Sequence, residues 1–364
     1  MPVPPFSHSP RQTPKLRPSS TGSGMSYSLR TQSSVLMHDV IVIGAGPVGL
    51  ACGIEAQNRG LDTLLIVKGA LCNSFIGYPT QMEFFSTPEL LEIGGHPFPT
   101  RDYKPRREEA LDYYRGVATE EDLNLRLYEP VTDLRGQDGH FTIVTDKGTY
   151  ETRKVVVATG FYDIPNRMGV PGEDRDKVQH YFKEPYPYAL TDVAVVGGAN
   201  SAVKAALKCY RHEANVTMVV RESELDSGVK YWLRPDVENR IEEGSINAYF
   251  NTTVSAIEED TLHLDTPDGP ETINNDFVLA MTGYKPNYDF LERLGIAIRN
   301  DEARTPVHDE EGGTFETNRD GLYLAGTICG GCDTSRWFIE NGRAHAEQIM
   351  NHIASTLETE PAMA

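Results

Sequence analysis

Basic residues, cysteine and long apolar runs are all in short supply in this sequence. Acidic side chains outnumber Lys and Arg by 53 to 34, a net charge of −19. That balance argues against a nucleic-acid groove and against an anionic membrane surface. It suits solubility, and it is also the pattern of proteins that work at high salt. No apolar run reaches the ~20 residues that span a bilayer. The five cysteines are odd in number and scattered, so no disulfide framework is expected and a reducing cytoplasm fits. Acidic residues are absent from positions 1–36, a segment rich in Pro, Ser and Thr with four basic residues. It has too little apolar surface to offset the entropy of ordering and reads as a disordered extension. Such a start also fits a transit peptide. An over-long start, with Met25 or Met37 as the alternative, is the plainer reading.

What is present is a repeated nucleotide-binding pattern, and 364 residues allow two domains. "HDVIVIGAGPVGLACGIEAQNRG" opens on an apolar run of strand length, His38–Ile43. Gly44, Gly46 and Gly49 follow as G-x-G-x-x-G, with Pro47 inside, and a helix is expected to about Arg59. In such a turn the first glycine permits the bend, the second leaves room for a pyrophosphate and the third lets helix and strand pack closely. The helix N-terminal amides then face the phosphates. "DTLLIV" completes a βαβ unit. Some 150 residues on, "DVAVVGGANSAVKAALKCY" repeats strand, Gly-rich turn (Gly197, Gly198) and helix, and "NVTMVV" supplies the next strand. Two dinucleotide folds in one chain suggest two nucleotides, one FAD and one NAD(P)H, the arrangement a hydride relay needs.

Two strand ends, "VVVATGFYDIPN" and "FVLAMTGYKPN", carry Thr159-Gly160 and Thr282-Gly283. They bracket the second unit as crossover points. The expected fold class is therefore α/β, with two Rossmann-like, three-layer ββα nucleotide-binding domains, the NADPH domain inserted into the FAD domain. Residues 37–163 and 283–356 form the FAD domain and 164–282 the NADPH domain. A hairpin turning at Gly148 is expected in "GHFTIVTDKGTYETR". "RREEALDYYRGVATEEDL" reads as an amphipathic helix, "HDEEGGTFETNRDG" as an acidic surface loop, and the C-terminus as a long helix starting near Thr334–Arg336.

The order G-x-G-x-x-G, A-T-G, second Gly-rich turn, M-T-G and Y-L-A-G resembles the two-domain FAD/NADPH reductases of the thioredoxin-reductase group, over nearly all of residues 38–353. "SFIGYPTQMEFFSTPELLEIGGHPF", "GGANSAVKAAL", "VKYWLRPDVENRIEEGSI" and "FIENGRA" look more closely like the YpdA-type bacillithiol-disulfide reductases. The resemblance implies hydride transfer from NADPH to FAD and onward reduction of a low-molecular-weight disulfide. It also implies a homodimer. Three departures stand out. Many members carry Cys where this chain has Val48. The strand after the first helix usually ends in Glu, a ribose acceptor, where this chain has Val67, so either a lower FAD affinity or a backbone substitute is expected. Relatives have Ala-Gly-Asp where this chain has Ala325-Gly326-Thr327.

On that resemblance Tyr78, Pro79 and Thr80 of "GYPT" border the flavin, as do Thr159 and Gly160. Arg336, with the N-terminus of the C-terminal helix, adds positive field at the flavin N1–C2=O edge. Arg221 stands where a nucleotide ribose should lie. An acid there would bind the 2′-hydroxyl of NAD, whereas Arg suits the 2′-phosphate of NADP; a solvated strand-end Arg is the bland alternative. Lys230 and Arg234 are weaker candidates for the same phosphate. Asn200 and Ser201 are expected to open the second helix at the pyrophosphate.

The pair Cys329 and Cys332, in "TICGGCDTSRW", is the candidate catalytic dithiol. It precedes a helix, whose dipole would lower a thiol pKa, and small residues in a turn are the competing reading. A single C-x-x-C with one isolated His345 is poor evidence for a metal, and none is expected. Cys52 and Cys209 read as packing residues, and Cys72 as a loop residue near the flavin. Rival functions on the same scaffold are a ferredoxin or flavodoxin reductase, a thioredoxin-like protein disulfide reductase and a non-catalytic flavin sensor. A redox-protein acceptor therefore stays open beside the small-molecule disulfide.

Overall fold

A computed structural model describes residues 37–359; the expected N-terminal extension lies outside the described residues. The chain is a mixed α/β fold with parallel sheets. The first lobe begins with β1 (Met37–Ile43), α1 (Pro47–Asn58) and β2 (Thr63–Ile66). Two short helices, α2 (Asn73–Gly77) and α3 (Pro88–Leu91), and then α4 (Arg107–Glu120) lead to β3 (Leu125–Arg126), β4 (Val131–Gln137), β5 (His140–Thr145) and β6 (Thr149–Val157). The sheet order is β3-β2-β1-β6-β5-β4, and β17 (Leu322–Leu324) also pairs with β6.

The parallel strands β1, β2, β6 and β17 explain the continuous apolar runs. Every residue of β2 and β17 is buried, as expected where both sheet faces are covered. Strand β6 changes role along its length. Its first half closes the antiparallel hairpin with β5, where the Thr145 amide donates to the Gly148 carbonyl at 2.9 Å. Its second half lies parallel to β1 and β17.

The second lobe is built from β8 (Val178–Gln179), β9 (Asp192–Val196), α5 (Asn200–Tyr210), β10 (Asn215–Val219), α6 (Arg234–Glu242), β11 (Asn247–Tyr249) and β15 (Phe277–Ala280). Its parallel sheet runs β11-β10-β9-β15-β8. Alternation along β9 sorts its two faces. Val193 and Val195 pack with Ala202, Val203 and Ala206 of α5. Ala194 faces Val254, Leu262 and Leu264 of the antiparallel meander β12 (Thr253–Ile257), β13 (Thr261–Thr266) and β14 (Gly269–Asn274). A helix layer, a parallel sheet and a meander thus stack in that order. The chain passes between lobes on a two-stranded ribbon, β7 (Ile164–Pro165) against β16 (Tyr284–Lys285). Asn166 and Thr282 fasten it by reciprocal bonds, Asn166 Nδ2 to the Thr282 carbonyl and Thr282 Oγ1 to the Asn166 carbonyl. Helices α7 (Tyr288–Arg293), α8 (Ile339–Gly342) and α9 (Ala344–Thr359) complete the chain, and α9 packs on α1.

Two expectations are corrected. The C-terminal helix does not start at Thr334–Arg336. Asp333 Oδ1 takes both the amide and the hydroxyl of Ser335, and Asn341 Oδ1 accepts from the Phe338 amide. These local bonds favour a turn, so α8 opens at Ile339 and α9 at Ala344. Nor is 308–321 only an acidic surface loop. Phe315, with φ of 56°, turns inward and stacks on His345 at 4.0 Å, and His308 is buried beside it.

The tightest approach to backbone in the first lobe is at Gly49, where a β-carbon would lie 2.1 Å from the Gly44 carbonyl oxygen. Gly49→Ala is expected to destabilise the protein by about 1–3 kcal/mol, the usual range for overpacking, read as a lower Tm. A β-carbon on Gly46 meets nothing within 4 Å, so Gly46→Ala should leave the Tm of the apoprotein near that of the parent chain. Equal losses for the two variants would contradict this packing.

Candidate functional site

The first Gly-rich turn joins β1 to α1 across the end of β6. Gly44 has φ of 118°, and a β-carbon there would lie 2.4 Å from the Ala158 carbonyl oxygen. Only glycine allows this backbone contact. Gly46 is the N-cap of α1 and Pro47 the first helical residue. Pro has no amide to leave orphaned, so the first-turn amides of Val48 and Gly49 are the ones free of helical partners. The open space in front of Gly46 and these donors fit an anionic pyrophosphate.

Two further strand ends converge on this turn. Thr159 and Gly160 follow β6, and Gly326 and Thr327 follow β17. Gly160 faces Thr327, whose Oγ1 is 3.5 Å from where a Gly160 side chain would start. Gly326 has φ of 81° and packs directly on Val48, whose carbons lie 3.1–3.2 Å from a β-carbon placed there. Position 48 is therefore a buried contact between the first turn and the C-terminal one. The "GYPT" loop is brought to the same region by Tyr162, two residues beyond Gly160. Its hydroxyl donates to the Gly77 carbonyl at 3.2 Å, and its ring stands perpendicular to Tyr78 at 4.7 Å. Tyr181 and Tyr284 extend this cluster of rings toward the ribbon. Burial raises the Tyr162 hydroxyl far above its ordinary value, aided by the neighbouring Tyr284. The Thr80 amide reaches across to the Lys183 carbonyl at 2.9 Å.

The second turn repeats the contacts of the first, position by position. Gly197, with φ of 129°, follows β9 and would place a β-carbon 2.5 Å from the Met281 carbonyl oxygen, as Gly44 does with Ala158. Ala199 is the N-cap of α5, matching Gly46. Ala202 then matches Gly49. The fingerprint is thus G-x-A-x-x-A, with Ala199 and Ala202 at positions that counting glycines misses; their offsets of two and five residues from Gly197, the same as those of Gly46 and Gly49 from Gly44, were the available signal. Gly198 serves packing, since its β-carbon would meet Val220 at 2.9 Å. Asn200 does not cap α5. Its Nδ2 donates to the Gly228 carbonyl and its Oδ1 accepts from the Lys230 amide, which ties down the loop after β10. Ser201 is exposed in the first turn.

Arg221 is exposed past β10, with Glu222 at 2.7 Å. Arg234 is engaged by Glu238 and the carbonyls of Leu225 and Asp226. The Lys230 ammonium lies over Phe85 at 5.1 Å. Arg336 donates to Glu310 at 2.5 Å, so its charge is already partnered. At Val67, the expected backbone substitute for the missing acid, both main-chain groups are engaged: the amide donates to Arg126 and the carbonyl accepts from Glu129.

The cysteines separate clearly, and all five are free thiols. Cys329 is fully buried, and burial drives its thiol well above the ordinary range, with Glu310 adding to the shift. The expected dipole-lowered pKa is corrected here, because desolvation of the thiolate outweighs any helix field. Its neighbour His345, 4.0 Å away, is no base for it: burial and nearby His308 push that imidazole down to about 3, and its Nδ1 already accepts from the Gly326 amide. Cys332 is exposed, 3.2 Å from the Tyr288 hydroxyl. Between them Gly331, with φ of 60°, would place a β-carbon 2.3 Å from the Ala303 carbonyl oxygen. The segment is a glycine turn docked on Ala303. Burial also raises Cys52 and Cys209, each to about 12, and Cys72 further. Among the described residues no group of three His, Cys, Asp or Glu side chains is placed to hold a metal.

Comparison with known proteins agrees with this geometry. The model of the pyridine nucleotide-disulphide oxidoreductase family matches residues 41–326. The chain is 42% identical over 322 residues to the bacilliredoxin reductase Bdr of Bacillus subtilis (strain 168), covering 88% of this chain and 98% of that one. Among solved structures it is similar to the bacillithiol disulfide reductase Bdr (YpdA) from Bacillus cereus, with a TM-score of 0.85, 41% identity and coverage of 88% and 100%. The Staphylococcus aureus Bdr (YpdA) gives 0.84, 40%, 88% and 99%.

The burial pattern makes a direct forecast for thiol chemistry. Native protein should titrate one of its five thiols promptly with DTNB, all five after denaturation, and none promptly in Cys332→Ser. Prompt reaction of a second thiol in the native state would contradict a buried Cys329.

Proposed function

The chain belongs to the pyridine nucleotide-disulphide oxidoreductase family, among the Bdr (YpdA) proteins, and from that premise we propose that it is an FAD-dependent, NADPH-oxidising reductase of a low-molecular-weight disulfide of the bacillithiol type. The observation that carries the reading is the doubled turn. Gly44 against Ala158 and Gly197 against Met281 make two equivalent helix-entry sites, each at the end of a parallel sheet. We assign two Rossmann-like domains, the second inserted into the first, with FAD on 37–163 and 283–356 and NADPH on 164–282.

In this assignment Gly44, Gly46, Pro47 and Gly49 receive the FAD pyrophosphate. Thr159, Gly160, Gly326 and Thr327 line the path to the ring, which Tyr78, Pro79 and Thr80 border. Arg336, held by Glu310, lends positive field from the C-terminal side. Gly197, Ala199 and Ser201 take the NADPH pyrophosphate, with Gly198 and Asn200 fixing the turn. Arg221 takes the 2′-phosphate by exchanging Glu222 for it, and Lys230 is a second cation on the same loop. When bound, FAD supplies the two-electron relay by which NADPH, a proton and the disulfide become NADP⁺ and two thiols.

The chain contributes binding, orientation and exclusion of water. With Val48 in the first turn and Cys329 buried and neutral, the "CGGC" segment is structural, and the acceptor is reduced without a resident dithiol. A cytoplasmic homodimer completes the reading. The name of the Bacillus subtilis relative favours a second acceptor, a bacilliredoxin.

Steady-state assays with bacillithiol disulfide and with a bacilliredoxin test the acceptor, using NADPH and NADH in parallel. NADPH should be preferred. Arg221→Ala should raise KM for NADPH about tenfold, the scale of one lost charge-assisted hydrogen bond, and leave KM for NADH nearly unchanged. Equal use of the two nucleotides by the parent enzyme would remove NADPH from the account.

A further inference from the structure

The chain is acidic overall, yet one surface gathers cations around aromatic rings. Lys204 Nζ of α5 lies 4.0 Å from the Phe85 ring centroid, and Lys230 Nζ lies 5.1 Å from the same ring. Lys104 Nζ lies 4.9 Å from the Trp232 ring. Phe85 and Trp232 meet edge to face at 6.0 Å, and Tyr231 stands perpendicular to Trp232 at 4.8 Å. All three rings are exposed, Tyr231 by 83%. Lys208, one turn after Lys204, donates to the Gln81 carbonyl.

The charged groups that face Lys204 are Lys208, Glu83, Lys104 and Lys230, three cations and one carboxylate. None of the four ammoniums is within ion-pair distance of a carboxylate among the described residues. Burial, with the neighbouring lysines, brings Lys204 down to about 8. Four like charges gathered near one carboxylate, with none of them in a contact ion pair, are costly, and an anion seated among them lowers that cost. The exposed rings offer apolar faces beside the charges.

Position says which anion. The nucleotide turn, Gly197–Ser201, and Arg221 lie in the second lobe alone, and Lys230, whose amide bonds to Asn200 while its ammonium lies over Phe85, is the one cation the two sites share. The patch instead bridges the lobes, with Phe85 and Lys104 on one side and Lys204 and Trp232 on the other. Phe85 lies five residues after Thr80 of the "GYPT" loop, and that loop is fastened to the second lobe through Thr80 and Lys183.

We propose that this lysine–aromatic patch is the docking site of the acceptor, where Lys104 and Lys204 bind the carboxylates of an anionic low-molecular-weight disulfide and Phe85 and Trp232 pack on its apolar parts. The inference rests on the disulfide-reductase reading above. Trp232 is one of two tryptophans, so in a Trp337→Phe holoenzyme its fluorescence reports on this site without turnover. The probe is glutathione disulfide, a polycarboxylate disulfide, against its carboxylate-free tetraethyl ester.

Glutathione disulfide should change Trp232 fluorescence saturably, more weakly as salt rises, and the ester should not. Lys104→Met and Lys204→Met should each weaken this binding about tenfold and raise KM for bacillithiol disulfide by a similar factor. If both disulfides bind alike, or if the variants raise KM for NADPH instead, the patch is not an acceptor site. An enzyme that binds glutathione disulfide at Trp232 but reduces no disulfide fails the reductase reading and retains the anion site. An enzyme that reduces bacillithiol disulfide with KM indifferent to salt and to both variants retains the reductase reading and loses the site.

Discussion

Two backbone contacts made at glycine set the geometry on which the rest depends. At Gly44 the chain passes so close to the Ala158 carbonyl that no side chain fits, and at Gly197 it does the same against Met281. Each contact fixes where a helix begins relative to the end of a parallel sheet. The amides of that first turn and the neighbouring strand ends then surround one space. Thr159–Gly160 and Gly326–Thr327 enter it only because β6 and β17 pair in parallel register, Val157 beside Leu324. The packing of Val48 on Gly326 closes the junction.

Much of this was legible from local pattern. The βαβ units and the hairpin at Gly148 follow from apolar runs interrupted by glycine, a signal carried by the chain itself. The second fingerprint was only half legible. Gly197-Gly198 draws the eye, but Gly198 packs on Val220, while Ala199 and Ala202 hold the positions of Gly46 and Gly49. Counting glycines fails where alanine is small enough. The C-terminal segment was misread for a different reason. Asp333 and Asn341 bond to nearby main chain and delay the helix, a competition that composition does not reveal. Phe315 was hidden among acids, and its inward turn depends on His345 thirty residues away in sequence.

Burial of Cys329 opposes the lowered thiol pKa expected from position. A helix-proximal Cys-x-x-C suggests an activated thiolate, yet Cys329 is sealed between the C-terminal turn and a neutral His345. Desolvation holds it protonated. Charge follows the same logic in reverse. The surface is acidic overall, so the unpaired lysines around Phe85 and Trp232 stand out as an arrangement that wants an anion. Both conclusions turn on environment rather than residue identity, which is why the sequence alone left the dithiol open.

The central claim is that the flavin works without a resident dithiol, and an anaerobic reductive titration of the holoenzyme tests it most directly. Flavin absorbance should bleach fully on uptake of about two electrons per flavin, since a dithiol/disulfide couple would add two more. Uptake of about four electrons, falling to two in Cys329→Ser, would contradict the account and make the "CGGC" turn an electron gate to the acceptor.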